Sequence, residues 1–204
     1  MSRYTGPKAR LCRREGVNLF GSPKYAKILA KRPNPPGMQA KMMGKKSEYG
    51  IQLREKQKLR NMFVLTERQF SNYFQKASAS SGVTSDNLMQ RLELRLDNAI
   101  YRAGFSMTRF QSRQFASHGL FLVNGRRVNV PSYPLKVGDK VEARVRSKTS
   151  PVFTDNLEEL KGYRPPRWVD VDIKTLSFVV KAVPEAHDFE QLIDTQKIIE
   201  LYSR

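Results

Sequence analysis

The segment from Leu120 to Val130, LFLVNGRRVNV, limits the possible folds of this chain more than any other stretch. Asn124-Gly125 lies between two runs of β-forming residues, and both central residues of a type I′ turn need a positive φ. The pattern predicts a tight β-hairpin, with Arg126 directly after the turn. Further along, KVEARVRSK alternates small apolar residues with charged ones, which predicts another strand. A small antiparallel sheet is therefore expected.

Two helices are predicted just before the hairpin. The first, closed by Gly104, has one apolar stripe made of Leu88, Leu92, Leu96, Ala99, Ile100 and Ala103. Thr108 and Gln111 form a capping-box pattern that begins the second helix. Arg109 and Arg113 stand one turn apart in this second helix, so both are predicted to face one binding partner. A pair of merely solvated arginines is the alternative.

The net charge points to the kind of partner. The chain has 37 Lys and Arg residues against 19 Asp and Glu residues, a net charge of +18 and a pI near 10.2. Such a balance is typical of a polyanion binder, which favours nucleic acid over an anionic membrane surface. No apolar run approaches the roughly 20 residues that span a bilayer. The N-terminus also lacks the apolar core of a signal peptide, so a cytoplasmic location is expected.

The positive charge is concentrated at the N-terminus. Residues 1–46 contain twelve Lys or Arg residues and one acidic residue, Glu15, which is +11 of the net +18. This segment is rich in Pro and Gly and has few apolar clusters, so it is predicted to be a partly irregular arm that becomes ordered on its partner. Tyr4, Phe20 and Tyr25 favour a docking arm over a solvated tail, because aromatic rings can stack on unpaired bases.

Helical patterns follow the arm. Ser47 can cap a helix that presents Arg54, Lys58 and Arg60 on one face. Thr66 and Gln69 form a capping box that begins another helix, whose apolar face consists of Phe70, Tyr73, Phe74 and Ala77. Later signals are weaker: a short helix at 156–160, a pair of strands at 168–171 and 175–181, and a short C-terminal helix that includes Ile198 and Tyr202.

The order of several motifs resembles a known domain. RLDNAIYRAGF, SRQ, SHG, VNGRRVNVPSY and VGDKV follow one another as in the S4 RNA-binding domain. The flanking motifs RYTGPK, CRREG, KRPNPPG, SEYGIQLREKQKLR, ERQF and IIELYSR are similar to the bacterial-type S4 family of small-subunit ribosomal proteins. The resemblance covers nearly the whole chain and weakens only between Thr149 and Pro166.

This resemblance implies an α+β chain in three parts. A basic extended arm is expected at residues 1–46, and a small helical domain at 47–87 that is completed by a helix within 185–204. An S4 domain is expected at 88–184, with two short helices packed on a small antiparallel β-sheet and extra strands beyond it.

The resemblance also implies a function. It indicates a structural, non-enzymatic constituent of the small ribosomal subunit, a primary binder that docks on a multi-helix junction in the 5′ domain of 16S-type rRNA. Nucleation of subunit assembly and a contribution to decoding accuracy are implied as well. The expected neighbours are proteins S5 and S3 and the channel through which mRNA enters. A cytoplasmic ribosome is expected, with an organellar ribosome as the alternative, and no membrane, cofactor or small-molecule substrate.

The residues predicted to contact RNA are of two kinds. Most are lysines and arginines of the arm, the helices and the hairpin, and the others are polar residues in or near the hairpin and the helix before it. They are expected to neutralise phosphates, while the shape of the RNA helix supplies selectivity. The predicted residues are Arg3, Lys8, Arg10, Arg13, Arg14, Lys31, Arg32, Lys45, Lys46, Arg54, Lys58, Arg60, Arg68, Arg109, Arg113, Gln114, Ser117, His118, Asn124, Arg126 and Arg127.

The chain departs from the zinc-bearing relatives of this family. Cys12 is the only cysteine, which rules out an intrachain disulfide and a four-cysteine zinc cluster. Those relatives carry a further cysteine where this chain has Ala9. The sequence therefore predicts no bound zinc, and an arm that RNA rather than metal must order.

Other functional classes stay open at this stage. An RNA-modifying enzyme or a tRNA synthetase can carry an S4 domain, but the chain outside residues 91–148 has no P-loop, no GxSxG and no paired His and Cys, so no enzyme is predicted. A stand-alone S4-domain factor acting on rRNA or tRNA, or a nucleoid protein, would also explain the charge.

Overall fold

The computed structural model describes residues 4–37, 47–145, 153 and 163–203. The chain divides into two compact units, one of Met1–Ser85 with Glu190–Arg204 and one of Asp86–Phe189. The prediction of an α+β fold is confirmed, because the described residues combine helices with an antiparallel sheet. The helix predicted at 156–160 and the candidate RNA contacts Arg3, Lys45 and Lys46 lie outside the described residues.

The arm is more regular than the sequence suggests. It contains α1 (Lys8–Glu15) and α2 (Pro23–Lys31), which pack against each other. Cys12, Leu19 and Phe20 are buried, and the Phe20 ring meets the Tyr25 ring edge-on with 5.8 Å between centroids. Phe20 is therefore packed inside the arm and is not exposed for stacking on a base. Two short helices need an apolar centre to pack, and Phe20 supplies part of it.

The helical part of the first unit contains α3 (Glu48–Met62) and α4 (Glu67–Ser78). Ser47 Oγ accepts a hydrogen bond from the Gly50 N–H, which confirms the predicted cap. The capping box at Thr66 and Gln69 is also confirmed, because each side chain accepts from the backbone N–H of the other residue.

The C-terminal helix, which we call α8 (Thr195–Tyr202), packs on α3 and α4 within this unit. The Tyr202 ring stacks on Phe74 with 4.2 Å between centroids, and the Gln52 amide donates to the Glu200 carboxylate at 3.1 Å. Asp194 caps the helix by accepting from the Lys197 N–H. Residues far apart in sequence thus complete one helical core.

The second unit begins with α5 (Thr84–Glu93) and α6 (Leu96–Arg102), where the sequence predicts one continuous helix. That prediction is wrong, because Arg95 adopts an extended conformation with ψ at 140° and bridges Pro134. The Leu96 N–H donates to the Tyr133 carbonyl at 2.9 Å, so a distant loop takes the place of one turn of helix. The apolar stripe survives the break, since Leu92, Leu96 and Ile100 are all fully buried.

The sheet follows α7 (Arg109–Ser117). Its strands are β1 (Phe121–Val123), β2 (Arg126–Arg127), β3 (Lys140–Ala143), β4 (Val169–Asp172) and β5 (Ser177–Val180), all antiparallel in the order β2-β1-β3-β5-β4. Asn124 and Gly125 have φ of 49° and 76°, which confirms the predicted hairpin turn. The predicted strand pair near the C-terminus is confirmed by β4 and β5.

One face of the sheet and the helices α6 and α7 enclose the core of the second unit. Phe121 and Phe178 flank Phe105, each with its ring centroid 6.0 Å away, and Trp168 is 1% exposed. Each fully buried side chain of this size contributes about 1.5–3 kcal/mol before conformational entropy is subtracted. This core holds α7 and the hairpin as one rigid piece.

We expect Tyr202 to ionise unusually late. Its pKa is raised to about 12, because the ring is partly buried and lies beside the Glu67 carboxylate. An unfolded tyrosine ionises near pH 10. Between these values the folded state keeps a proton that the unfolded state has lost, so stability falls as the pH rises. Ultraviolet absorbance of tyrosinate measures this step. The ionisation step near pH 12 should be absent from Tyr202→Phe. If Tyr202 instead ionises near pH 10, the packing of α8 is contradicted.

We expect Gly125→Val to destabilise the second unit by about 1–2 kcal/mol, because an L side chain resists the positive φ at this position. No atom lies within 4 Å of the position of the added Cβ, so the cost is backbone strain alone. Gly125→Asn is the matched control and should cost less, since Asn tolerates this conformation. Urea unfolding followed by the fluorescence of Trp168 measures both, and equal losses would contradict the turn assignment.

Candidate nucleic-acid interface

The arm carries a cationic cleft of about 440 Å³ between α1, α2 and the proline-rich segment after α2. Its lining consists of Pro7, Ala9, Arg10, Arg13, Ile28, Lys31, Arg32 and Pro36, with four cations and no acidic residue. Arg10, Lys31 and Arg32 are exposed. The Arg13 guanidinium instead donates to the carbonyls of Asn34 and Pro35, at 3.0 and 3.3 Å. Arg13 therefore braces the wall of the cleft while the other three cations face solvent.

The cations predicted on α3 are engaged in ion pairs within the unit. Arg54 meets Glu15 at 3.2 Å, Lys58 meets Glu55 at 2.5 Å, and Arg60 meets Glu67 at 3.3 Å. All three cationic side chains are partly buried. Of the other predicted contacts in this unit, Lys8 is also partly buried, and Arg14 and Arg68 are exposed. A cation already paired with a carboxylate has less to offer to a phosphate, so α3 contributes less to the candidate interface than its sequence suggests.

The Arg54–Glu15 pair joins α3 to α1. The Glu15 side chain is 2% exposed, and its burial raises the pKa of the carboxyl. The charges of Arg54 and Lys58 act in the opposite direction and lower it. Glu15 is the one acidic residue of the arm, and it is used internally to fix α1 on the helical core.

The two arginines of α7 do not face outward as predicted. Arg109 and Arg113 are 8% and 6% exposed. The Arg113 guanidinium donates to Asp97 Oδ2 at 3.2 Å, and the Arg109 Nε donates to the Asn98 side-chain oxygen at 2.9 Å. Their predicted exposure is wrong, because buried acceptors on α6 draw both guanidinium groups into the unit. They hold α7 against α6.

These contacts belong to a buried polar network at the break between α5 and α6. Asp97 also accepts two hydrogen bonds from Arg95, at 3.0 and 2.8 Å, and Arg95 is 1% exposed. Glu93 is fully buried, and its carboxylate accepts from Nε and Nη2 of Arg102 at 2.9 and 2.7 Å. The Asn98 side-chain amide donates to the same carboxylate at 2.7 Å. Both buried carboxylates, Glu93 and Asp97, are thus paired with guanidinium groups, as burial of a charge requires.

The end of α7 and the hairpin carry exposed polar residues, which we together call the hairpin surface: Gln114, His118, Asn124, Arg126 and Arg127. The Arg127 guanidinium donates to the His118 carbonyl at 3.2 Å. A Cβ on Gly119 would lie 2.5 Å from Arg127 Nε, so the missing side chain leaves room for this contact.

The turn of the hairpin is fixed by its own polar contacts. The Asn124 side chain donates to Asp139 Oδ1 and accepts from the Lys140 N–H, each at 2.9 Å. Ser117 turns back and donates to the Arg113 carbonyl at 2.8 Å, so it serves the helix rather than the surface. Arg127 is therefore held in a defined position beside His118, on a hairpin whose turn is itself fixed.

Sequence reasoning missed several exposed cations outside the recognised motifs. Within the described residues these include Lys24, Lys27, Lys76, Lys136, Arg164 and Arg167. The motif KGYRPPRW contains two of them, and the first of its two aromatic residues, Tyr163, was assigned only to a loop. Alternation of basic, proline and aromatic residues was the available signal.

The described parts of the chain contain neither a cluster of possible metal ligands nor a helix that could cross a membrane. Cys12 is buried, and burial raises the pKa of its thiol. No three His, Cys, Asp or Glu side chains in these ranges could hold a metal ion together. None of the helices described is long and apolar enough to cross a membrane.

The fold and the surface define a class, the basic α+β proteins that present cations to a polyanion. Comparison with known families is specific. Residues 3–93 match the family described as the ribosomal protein S4/S9 N-terminal domain, and residues 94–141 match the S4 domain. The small ribosomal subunit protein uS4 of Solidesulfovibrio magneticus is 45% identical over 208 residues, and that of Heliobacterium modesticaldum is 44% identical over 208 residues. The alignment covers 100% of both chains in each case.

The chain belongs to the S4 family of small-subunit ribosomal proteins. The family is structural rather than enzymatic, which agrees with the prediction of no enzyme. The resemblance found in the sequence motifs is confirmed.

We expect Asp97→Ala to destabilise the second unit by about 3–5 kcal/mol, because it leaves the buried guanidinium groups of Arg95 and Arg113 without their carboxylate. Asp170→Ala is the matched control. It breaks the exposed pair with Lys181, at 3.0 Å and 59% exposed on both sides, and should cost about 0–1 kcal/mol. Urea unfolding monitored through Trp168 compares the two. Similar losses would show that the buried network does not hold this unit together.

Proposed function

We propose that this chain is a structural constituent of the small ribosomal subunit that binds rRNA directly. The site is a multi-helix junction in the 5′ domain of 16S-type rRNA. The observation that carries the proposal is the alignment with uS4 proteins over the full chain, combined with exposed cations at the arm cleft and the hairpin surface. A junction offers several phosphate backbones at once, which suits a chain with more than one cationic surface.

The arm cleft supplies the first set of contacts. Arg10, Lys31 and Arg32 bind phosphates, and Arg13 keeps the cleft open by holding the carbonyls of Asn34 and Pro35. Because the wall is braced before RNA arrives, less conformational entropy is lost on binding.

The hairpin surface supplies the second set. Arg126 and Arg127 lie on β2, at the edge of the sheet, and reach the sugar-phosphate backbone of an RNA helix. The deep major groove of A-form RNA excludes side chains, so shape and backbone contacts dominate there. Arg109 and Arg113 act from beneath by fixing α7, rather than by touching the RNA.

Binding at this junction places the chain early in subunit assembly and lets it contribute to decoding accuracy. Proteins S5 and S3 and the channel through which mRNA enters are its neighbours in this proposal, and the ribosome is a cytoplasmic one. These roles are supported by membership of the S4 family.

The direct test is a competition between RNAs and DNA at physiological salt. The purified chain is expected to prefer a 5′-domain fragment of 16S rRNA over duplex DNA of equal length and over tRNA. Comparable affinity for the fragment and for DNA would sink the ribosomal proposal and favour a nucleoid protein. A preference for tRNA would favour a stand-alone S4-domain factor.

We expect Arg10→Ala/Lys31→Ala/Arg32→Ala to weaken binding to the 16S fragment and to lower its salt dependence. Each lost phosphate contact removes roughly 0.7–0.9 from the slope of log affinity against log salt, so a total decrease of about 2–3 is expected. The matched control, Lys76→Ala/Lys174→Ala/Lys181→Ala, removes the same charge from other exposed positions. An equal decrease in both variants would mean that net charge rather than the cleft controls binding.

A further inference from the structure

Tyr163 is held as a fixed aromatic surface at the edge of the second unit. Its ring lies on Gly104, where an added Cβ would be 2.9 Å from Cδ1 and 3.2 Å from Cε1. Its hydroxyl donates to the Arg102 carbonyl at 3.1 Å. Even so, the residue is 42% exposed. One face of the ring is thus covered by backbone, while a large part of the residue remains open to solvent.

The absence of a side chain at Gly104 is what allows this arrangement. Gly104 has φ of +78°, a conformation that also ends α6, so the position requires glycine for two reasons. The ring is held both by the glycine contact and by the hydroxyl, so a ligand that stacks on it would lose little additional side-chain entropy.

The chemistry around the ring is cationic and aromatic. Arg164 and Arg167 are exposed and follow Tyr163 within four residues. On the neighbouring helix, the Arg109 guanidinium lies over the Tyr101 ring, 4.6 Å from its centroid. A flat, fixed π surface that is followed along the chain by two exposed arginines is suited to a flat base attached to a phosphate.

We propose that Tyr163 is a stacking platform for one unpaired RNA base, with Arg164 and Arg167 on the adjacent phosphates. The inference rests on the proposed function, since it concerns how the chain reads rRNA. It adds a contact of another kind, because stacking needs a base that is out of its helix. The platform therefore lets the protein distinguish a junction with unpaired bases from a continuous duplex.

The test uses the full chain and a 5′-domain fragment of 16S rRNA. Tyr163→Leu keeps an apolar side chain but removes the π surface, and it should bind roughly 5- to 150-fold more weakly. Its salt slope should be unchanged, because no phosphate contact is lost. Tyr163→Phe keeps the ring and should bind nearly as well as the wild type. Tyr133→Leu, at a similarly exposed tyrosine of the same unit, is the matched control and should have little effect.

A second readout locates the contact. Ultraviolet crosslinking followed by peptide mapping should join Tyr163 to a single nucleotide in the wild type, and the crosslink should be lost in Tyr163→Leu. Circular dichroism and Trp168 fluorescence confirm that each variant is folded.

The outcomes separate this inference from the function on which it rests. A wild-type chain that fails to prefer the rRNA fragment overturns the proposed function and the platform together. If the wild type binds but Tyr163→Leu binds equally well without a crosslink, the platform alone is overturned. A loss accompanied by a lower salt slope, or an equal loss in Tyr133→Leu, also overturns it, since either result indicates a general surface effect.

Discussion

The Asp97 carboxylate is the point on which the second unit depends. It accepts from Arg95 on the segment between α5 and α6 and from Arg113 on α7, and both donors are buried. Its own backbone N–H donates to the Pro131 carbonyl in the loop after the hairpin. One residue therefore joins the helix break, the second helix and the loop. Because a buried charge is costly when unpaired, the loss of this carboxylate would weaken the packing of all three elements.

The same network leaves the excess of positive charge on the surface. In a chain with 37 basic and 19 acidic residues, internal pairs remove cations and carboxylates in nearly equal numbers, so most of the excess cations stay outside. Glu93, Asp97 and Glu15 are all used in this way, paired with Arg102, with Arg95 and Arg113, and with Arg54. The internal pairs give α6, α7 and α1 fixed positions. The cations outside the pairs then dominate the electrostatic field that a polyanion meets.

Local signals in the sequence were sufficient for some elements and not for others. Asn124-Gly125 and the Thr66–Gln69 capping box were predictable, because each is decided by residues within a few positions of one another. The break at Arg95 was not, since its cause is the Tyr133 carbonyl in a loop 38 residues away, and the leucine stripe continues through the break. Domain and family could be predicted from motif order, which records long-range structure that periodicity cannot.

The candidate interface shows the same division. The spacing of Arg109 and Arg113 correctly placed them on one side of α7, but spacing alone cannot say whether that side faces solvent or a buried carboxylate. Asp97 and Asn98 decide the question, and they lie on another helix. Tyr163 was passed over for a related reason. The ring of Tyr163 is fixed by contact with Gly104, 59 positions earlier in the chain. In the sequence, a glycine at that position is already explained as the residue that ends a helix, so nothing links it to Tyr163.

The net charge of the arm and the number of its cations that can contact phosphate are different quantities. Residues 1–46 carry +11 of the net charge. Within this segment, however, Arg13 donates to two carbonyls and Glu15 forms an ion pair with Arg54. A guanidinium bound to carbonyls keeps its charge, so it still attracts a distant polyanion, although two of the five N–H donors of Arg13 are already used. Attraction at long range therefore follows the total charge, whereas the salt dependence of the final complex follows only the cations that touch phosphate. Under the proposed function, the total charge of the arm therefore sets the rate of association, and only those cations of the cleft and the hairpin surface that contact phosphate set how long the RNA stays bound.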